Sequence, residues 1–92
     1  MTFLFTENGW EDFQYWMATD QEIANKIITL LNEIRKTPFQ GMGKPEPLRY
    51  DLTGYWSRRI TNEHRLVYSI TGKKGSNQQC CVVQCRFQYS KG

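Results

Sequence analysis

The run Gly43-Lys44-Pro45-Glu46-Pro47-Leu48 clamps one carboxylate between two prolines, and Arg49, Arg58, Arg59 and Arg65 follow it closely. Proline fixes φ on either side of Glu46, so the side chain is presented rather than left to wander. A carboxylate held rigidly among cations can do the work of metal-free RNA cleavage. It takes the proton from a ribose 2′-hydroxyl, and the cations stabilise charge that builds on the phosphate. The plainer reading of Glu46 is a surface ion pair, and composition alone does not separate the two.

Cleavage through the 2′-hydroxyl has three requirements: a base, cations for the phosphorane-like transition state, and an acid for the leaving 5′-oxygen. Glu46, Arg49, Arg59, Arg65, Arg86 and Gln88 are expected together on the sheet surface away from the helices, with Lys44 beside them as a further RNA contact. Arg65 lies between His64 and Leu66 in a core-forming strand and must face something polar. Tyr55, Trp56 and Tyr89 have rings suited to base stacking, although packing suits Trp56 better. The lone histidine, His64, shares parity with Leu66 and Tyr68, opposite Arg65, which favours a structural role. Cys80, Cys81 and Cys85 are odd in number and match no zinc spacing, so they read as small hydrophobes in a buried strand. No metal and no cofactor is expected.

These residues need elements to hold them. Met1 to Phe5 alternates as a short strand, with Phe3 and Phe5 on one face. Thr6 can cap a helix through about Thr19, with Trp10, Phe13, Trp16 and Met17 as its buried stripe. Thr19-Asp20-Gln21-Glu22 forms a capping box for a second helix, whose apolar face is Ile23, Ile27, Leu30, Leu31 and Ile34 and which stops at Lys36-Thr37-Pro38. Residues 38–47 form a Pro/Gly-rich loop carrying Glu46. Four strands follow: Leu48 to Leu52, Tyr55 to Ile60, His64 to Ile70 and Cys80 to Tyr89. In the last, period two puts Cys81, Val83, Cys85 and Phe87 on one face, opposite Arg86 and Gln88. The order β-α-α-β-β-β-β predicts an α+β fold, two N-terminal helices packed on a mainly antiparallel sheet.

The 92 residues suit one domain over 1–92, with 90–92 as a short C-terminal extension. No apolar run is long enough to span a membrane, and the N-terminus lacks the pattern of a signal peptide, so a cytoplasmic protein is expected. The net charge of +3 is unevenly placed. Residues 1–43 carry three cations against six anions, whereas residues 44–92 carry nine against three. The C-terminal half is therefore the candidate nucleic-acid surface.

The chain resembles the YoeB toxins, the Txe/YoeB group of the RelE superfamily. The matching stretches are Trp10 with Asp12 and Trp16, Arg35-Lys36-Thr37-Pro38-Phe39, Gly43 to Leu48, Trp56-Ser57-Arg58-Arg59-Ile60-Thr61, and Glu63-His64-Arg65-Leu66-Val67-Tyr68. The likeness runs over roughly residues 3–70 and resumes at Cys85-Arg86. It implies a type II toxin with a microbial-ribonuclease-like fold that cleaves mRNA in the ribosomal A site. It also implies a homodimer, neutralisation by a YefM-like antitoxin, and contact with operator DNA only through that antitoxin.

By the same resemblance Glu46 is the general base, Arg65 the phosphate-stabilising arginine and Arg59 a second active-site arginine. Arg49 stands where a lysine is common, which keeps the charge and changes the hydrogen-bond geometry. The departure is at the end of the chain. The family typically closes Arg-Tyr-His-Tyr, with the histidine as general acid. Here the residues are Arg86-Phe87-Gln88-Tyr89, followed by Ser90-Lys91-Gly92. Gln88 has no titratable proton but can hydrogen-bond a phosphate oxygen or the leaving group. The proton must then come from Tyr89, from water or from the ribosome. Two other functions fit the same residues: an interaction protein that keeps antitoxin and operator-complex binding but has lost cleavage, and a gyrase-binding toxin, for which the Glu46 carboxylate has no evident use.

Overall fold

A computed structural model describes residues 1–88 of the chain. Tyr89, to which the sequence assigns a role near the leaving group, and the Ser90-Lys91-Gly92 extension lie outside the described residues.

Thr6 caps the first helix as its sequence predicts. Its Oγ1 accepts from Gly9 N at 3.1 Å, between strand β1 (Thr2–Phe5) and helix α1 (Glu7–Thr19). The second cap differs from expectation. Thr19 is the last residue of α1, and Asp20 is the N-cap of α2 (Gln21–Lys36), accepting from Ile23 N at 3.3 Å. A one-residue connection leaves no room for a Thr19 cap. The rest of the described residues give β2 (Glu46–Pro47), a short 3-10 turn (Tyr50–Leu52), β3 (Tyr55–Arg59), β4 (Arg65–Thr71) and β5 (Gln79–Gln84).

The five strands form one sheet in the order β1-β5-β4-β3-β2. Only β1 and β5 pair in parallel; the other three pairings are antiparallel. The fold is thus α+β, two helices on one face of a mainly antiparallel sheet. Ala24, Ile27, Leu30 and Ile34 of α2 are wholly buried against Leu66, Tyr68, Cys80 and Val82 of the sheet. Each buried leucine or isoleucine contributes about 1.5–3 kcal/mol. Gly9 lets α1 come close: a Cβ there would strike the Val82 carbonyl. The stripe of α1 is narrower than its spacing suggests. Phe13 and Trp16 are buried, but Met17 is exposed, and Trp10, also exposed, rests its ring against Phe5 and Phe13.

Two strand expectations are corrected. Leu48 to Leu52 is not a strand; pairing occurs earlier, at Glu46 and Pro47, and the chain then turns through Tyr50–Leu52. An edge strand tolerates Pro47 because its missing N–H removes no inner ladder bond. The last strand ends at Gln84, not Tyr89, and a register shift opposite Val67 and Tyr68 breaks its alternation. Tyr68 pairs with Val82 and Val67 with Gln84, so β5 carries an extra residue there. Cys85 therefore joins Cys80 and Val82 in the core instead of sharing a face with Cys81. Helix α1 then captures its backbone. Trp16 Nε1 donates to Cys85 O at 2.8 Å, and Cys85 N donates to Asp12 Oδ2 at 3.0 Å.

Candidate active site

The helices cover one face of the sheet, and three of the candidate residues, Glu46, Arg59 and Arg65, share the other. Glu46 of β2 is in register with Ser57 of β3. Ser57 is in turn paired with Val67 of β4, and Arg59 with Arg65. Directly paired residues share a face, as do residues two apart on one strand. Glu46, Ser57, Arg59 and Arg65 thus lie on the open face, with Glu46 diagonal to Arg59 at a side-chain-base spacing of roughly 7–8 Å. Glu46 is held by strand pairing as well as by its flanking prolines.

Arg65 is oriented by the turn that precedes it. Its Nη1 donates to Thr61 O at 2.7 Å, His64 O at 3.1 Å and Asn62 O at 3.2 Å. The guanidinium is thus set in place by the backbone carbonyls of the turn. Two arginines facing each other across β3 and β4 make an anion-attracting pair. Lys44 and Arg49 flank Glu46 in sequence and are exposed. Lys44 takes a left-handed φ of 52°, as does the exposed Tyr50 at 56°.

The carboxy-terminal segment is folded back by a residue the sequence reading did not single out. Gln84 Nε2 donates to the carbonyls of Arg86, Gln88 and Phe87 at 2.9, 3.1 and 3.4 Å. Arg65 N donates to Phe87 O at 3.0 Å, and Gln88 Nε2 reaches Asn62 O at 3.4 Å. Gln88 therefore arrives beside the turn that anchors Arg65. It also lines a shallow cleft of ≈ 290 Å³ with Asn8, Asp12, Gln84, Arg86 and Phe87.

Arg86 does not join the open-face cluster. Its guanidinium lies 3.5 Å from the centre of the Tyr15 ring on α1 and 4.6 Å from that of Phe87, so it stacks on the helix side. His64 is structural: its Nδ1 accepts from Phe87 N at 2.7 Å, and its ring meets Trp16 edge-on at 4.7 Å. Trp56 packs with Phe39 at 4.9 Å between ring centres. Cys80 and Cys85 are buried, and burial pushes both thiols up to about 12, which leaves them neutral and unreactive.

Arg58, counted in the sequence among the cations that follow Glu46, does not join them on the open face. It is wholly buried, on the helix side of β3. The signal was present: Trp56, Arg58 and Ile60 share a strand face, so a cation alternates with two apolar residues and points at the core.

The chain matches the family model for YoeB-like toxins of bacterial type II toxin–antitoxin systems over residues 5–89. It is 46% identical to toxin YoeB of Escherichia coli (strain K12) over 89 residues, spanning 97% of this chain and 100% of that protein. Among solved structures it is similar to a YoeB/ParE toxin from Agrobacterium tumefaciens, with a TM-score of 0.91, 47% identity, and 97% and 100% of the two chains covered. The YoeB dimer of Staphylococcus aureus gives a TM-score of 0.85 at 36% identity, covering 97% and 98% of the chains. The same organism's YoeB–YefM complex superposes equally well, at 34% identity.

Proposed function

The chain belongs to the YoeB-like toxins of bacterial type II toxin–antitoxin systems, and from that premise we propose that it is a metal-independent endoribonuclease cutting mRNA in the ribosomal A site. The observation that carries this reading is the register of β2. It sets Glu46 opposite Ser57, on the face of the sheet that bears Arg59 and Arg65.

In the proposed reaction Glu46 takes the proton of a ribose 2′-hydroxyl. The 2′-oxygen attacks the adjacent phosphorus, a new P–O bond forms, and the P–O5′ bond breaks to leave a 2′,3′-cyclic phosphate. Arg65, with Arg59, balances the charge that accumulates on the phosphate oxygens. Lys44 and Arg49 hold the flanking backbone by charge, while Gln88 hydrogen-bonds a phosphate oxygen or the leaving group. The departing 5′-oxygen takes its proton from Tyr89, water or the ribosome. Arg86 contributes indirectly, by fastening the carboxy-terminal segment to α1.

The Staphylococcus aureus relatives support a homodimer and a YefM-like antitoxin as partners. One carboxylate, several arginines and no histidine acid make a weak free-standing ribonuclease, which supports dependence on the ribosome. One feature favours a second reading, in which antitoxin binding persists and cleavage is lost: Gln88 in place of a titratable acid. Mapping the 5′ ends of messages after induction decides between them. The enzyme reading expects cuts at codon positions occupying the A site, strongly reduced with Glu46→Gln; an unchanged end map would favour the interaction protein.

A further inference from the structure

The buried Arg58 guanidinium is solvated by the loop that precedes Glu46. Its Nη1 donates to Met42 O at 2.9 Å, and its Nη2 donates to Gln40 O at 2.8 Å and to Thr37 O. Its Nε donates to Tyr68 Oη at 3.0 Å, and that hydroxyl donates to Pro38 O at 2.8 Å. A cation removed from water is tolerated only when hydrogen bonds replace its hydration. Here carbonyls of residues 37, 40 and 42 do so directly, and that of residue 38 through the tyrosine. Thr37 is the C-cap of α2, where the helix dipole also favours positive charge.

The fastening continues toward Glu46. Gly43 O accepts from Arg59 N at 2.7 Å. Gly43 has φ 88°, and a Cβ there would lie 3.0 Å from Arg58 Cβ and from Leu30 Cδ2. The chain from Thr37 to Gly43 is thus moulded onto β3 and ends three residues before Glu46.

We propose that Arg58 and Tyr68 are positioning residues for cleavage: together they hold the 37–43 loop so that the Glu46 carboxylate meets the 2′-hydroxyl. The inference rests on Glu46 being the base. Displacing a reacting group by about 1 Å can cost 10²-fold in rate.

The test uses Tyr68→Phe, which keeps the buried ring and removes both hydroxyl hydrogen bonds, and Arg58→Lys, which keeps charge and loses the planar fork. Single-turnover cleavage of A-site mRNA is measured at saturating toxin, with ribosome affinity and circular dichroism read in parallel. Cleavage by Tyr68→Phe should fall about 10- to 100-fold with ribosome affinity unchanged. Arg58→Lys should fall at least as far. In a Glu46→Gln background Tyr68→Phe should cause no further loss, because a positioned base is no longer there to misplace; a merely structural role would add its loss in both backgrounds. If Arg58→Lys does not fold, Tyr68→Phe decides alone. Wild-type cleavage by folded Tyr68→Phe, or an additive loss with Glu46→Gln, would overturn this inference and leave the base assignment standing. Wild-type cleavage by Glu46→Gln would overturn the base assignment and this inference with it.

Discussion

Glu46 is exposed on a two-residue edge strand, so Glu46→Gln changes a charge and little packing. Cleavage should drop about 10²- to 10⁴-fold, the usual loss for a general base. Thermal stability should stay within about 0.5 kcal/mol, as for a surface substitution. A Glu46→Gln protein that melts as wild type and still cuts would mean that another group takes the proton. Gln88 gives a second test. Gln88→His should raise the single-turnover rate and introduce a pH dependence near neutrality, where histidine titrates. Tyr89→Phe should then harm the native protein more than the Gln88→His variant; equal effects would make Tyr89 a stacking residue. At this scale the sequence was legible wherever chemistry leaves a local mark. Glu46 stands between prolines and Arg65 interrupts an apolar strand, and both reach the open face. Arg86 was not legible, because its partner Tyr15 lies far away in sequence on α1.

The helices could be read almost to the residue, since their caps and apolar spacing are local. The exceptions have stated causes. A one-residue connection moved the cap from Thr19 to Asp20, and Met17 fell outside a contact surface narrower than its spacing suggests. The strands flanking the site were harder. Period two assumes an unbroken ladder, and the extra residue in β5 reverses parity beyond it. What terminates the strand is Trp16 and Asp12 taking both backbone groups of Cys85, a contact no pattern within β5 contains. The loop before Glu46 supplies the prediction here. Gly43→Ala must adopt a left-handed φ and crowd Arg58 and Leu30, so it should destabilise the fold by about 1–3 kcal/mol and slow cleavage. Gly54 has a similar φ of 100° with open space around its Cβ position, so Gly54→Ala is the control: some loss of stability and near-normal cleavage. Matching cleavage losses in the two variants would detach the 37–43 loop from catalysis.

Across the whole molecule the core draws on the acidic helical half and the basic sheet half alike, whereas the candidate site lies in the basic half. The division was visible in the charges alone, three cations against six anions and then nine against three. The core also sets an alkaline limit. Burial pushes the Cys80 and Cys85 thiols up from 9.0 to about 12, and burial raises the Tyr68 phenol against the opposing pull of Arg58. Unfolded thiols ionise above about pH 9 while the folded ones stay neutral, so unfolding releases protons there. Stability is therefore full below pH 9 and declines toward 12, by up to about 1.4 kcal/mol per pH unit for each thiol. Denaturant titrations at rising pH should show this slope, and Cys85→Ala should flatten it while lowering stability below about pH 9; an unaltered slope would remove the Cys85 thiol as its cause. The central claim concerns the reaction itself, and one comparison tests it most directly: the same mRNA offered free and programmed into ribosomes, with native protein and Glu46→Gln side by side. The account predicts cutting by the native protein at the A-site codon on ribosomes only, and cutting about 10²- to 10⁴-fold slower by Glu46→Gln. Efficient cutting of the free RNA, or equal cutting by both proteins on the ribosome, would contradict it.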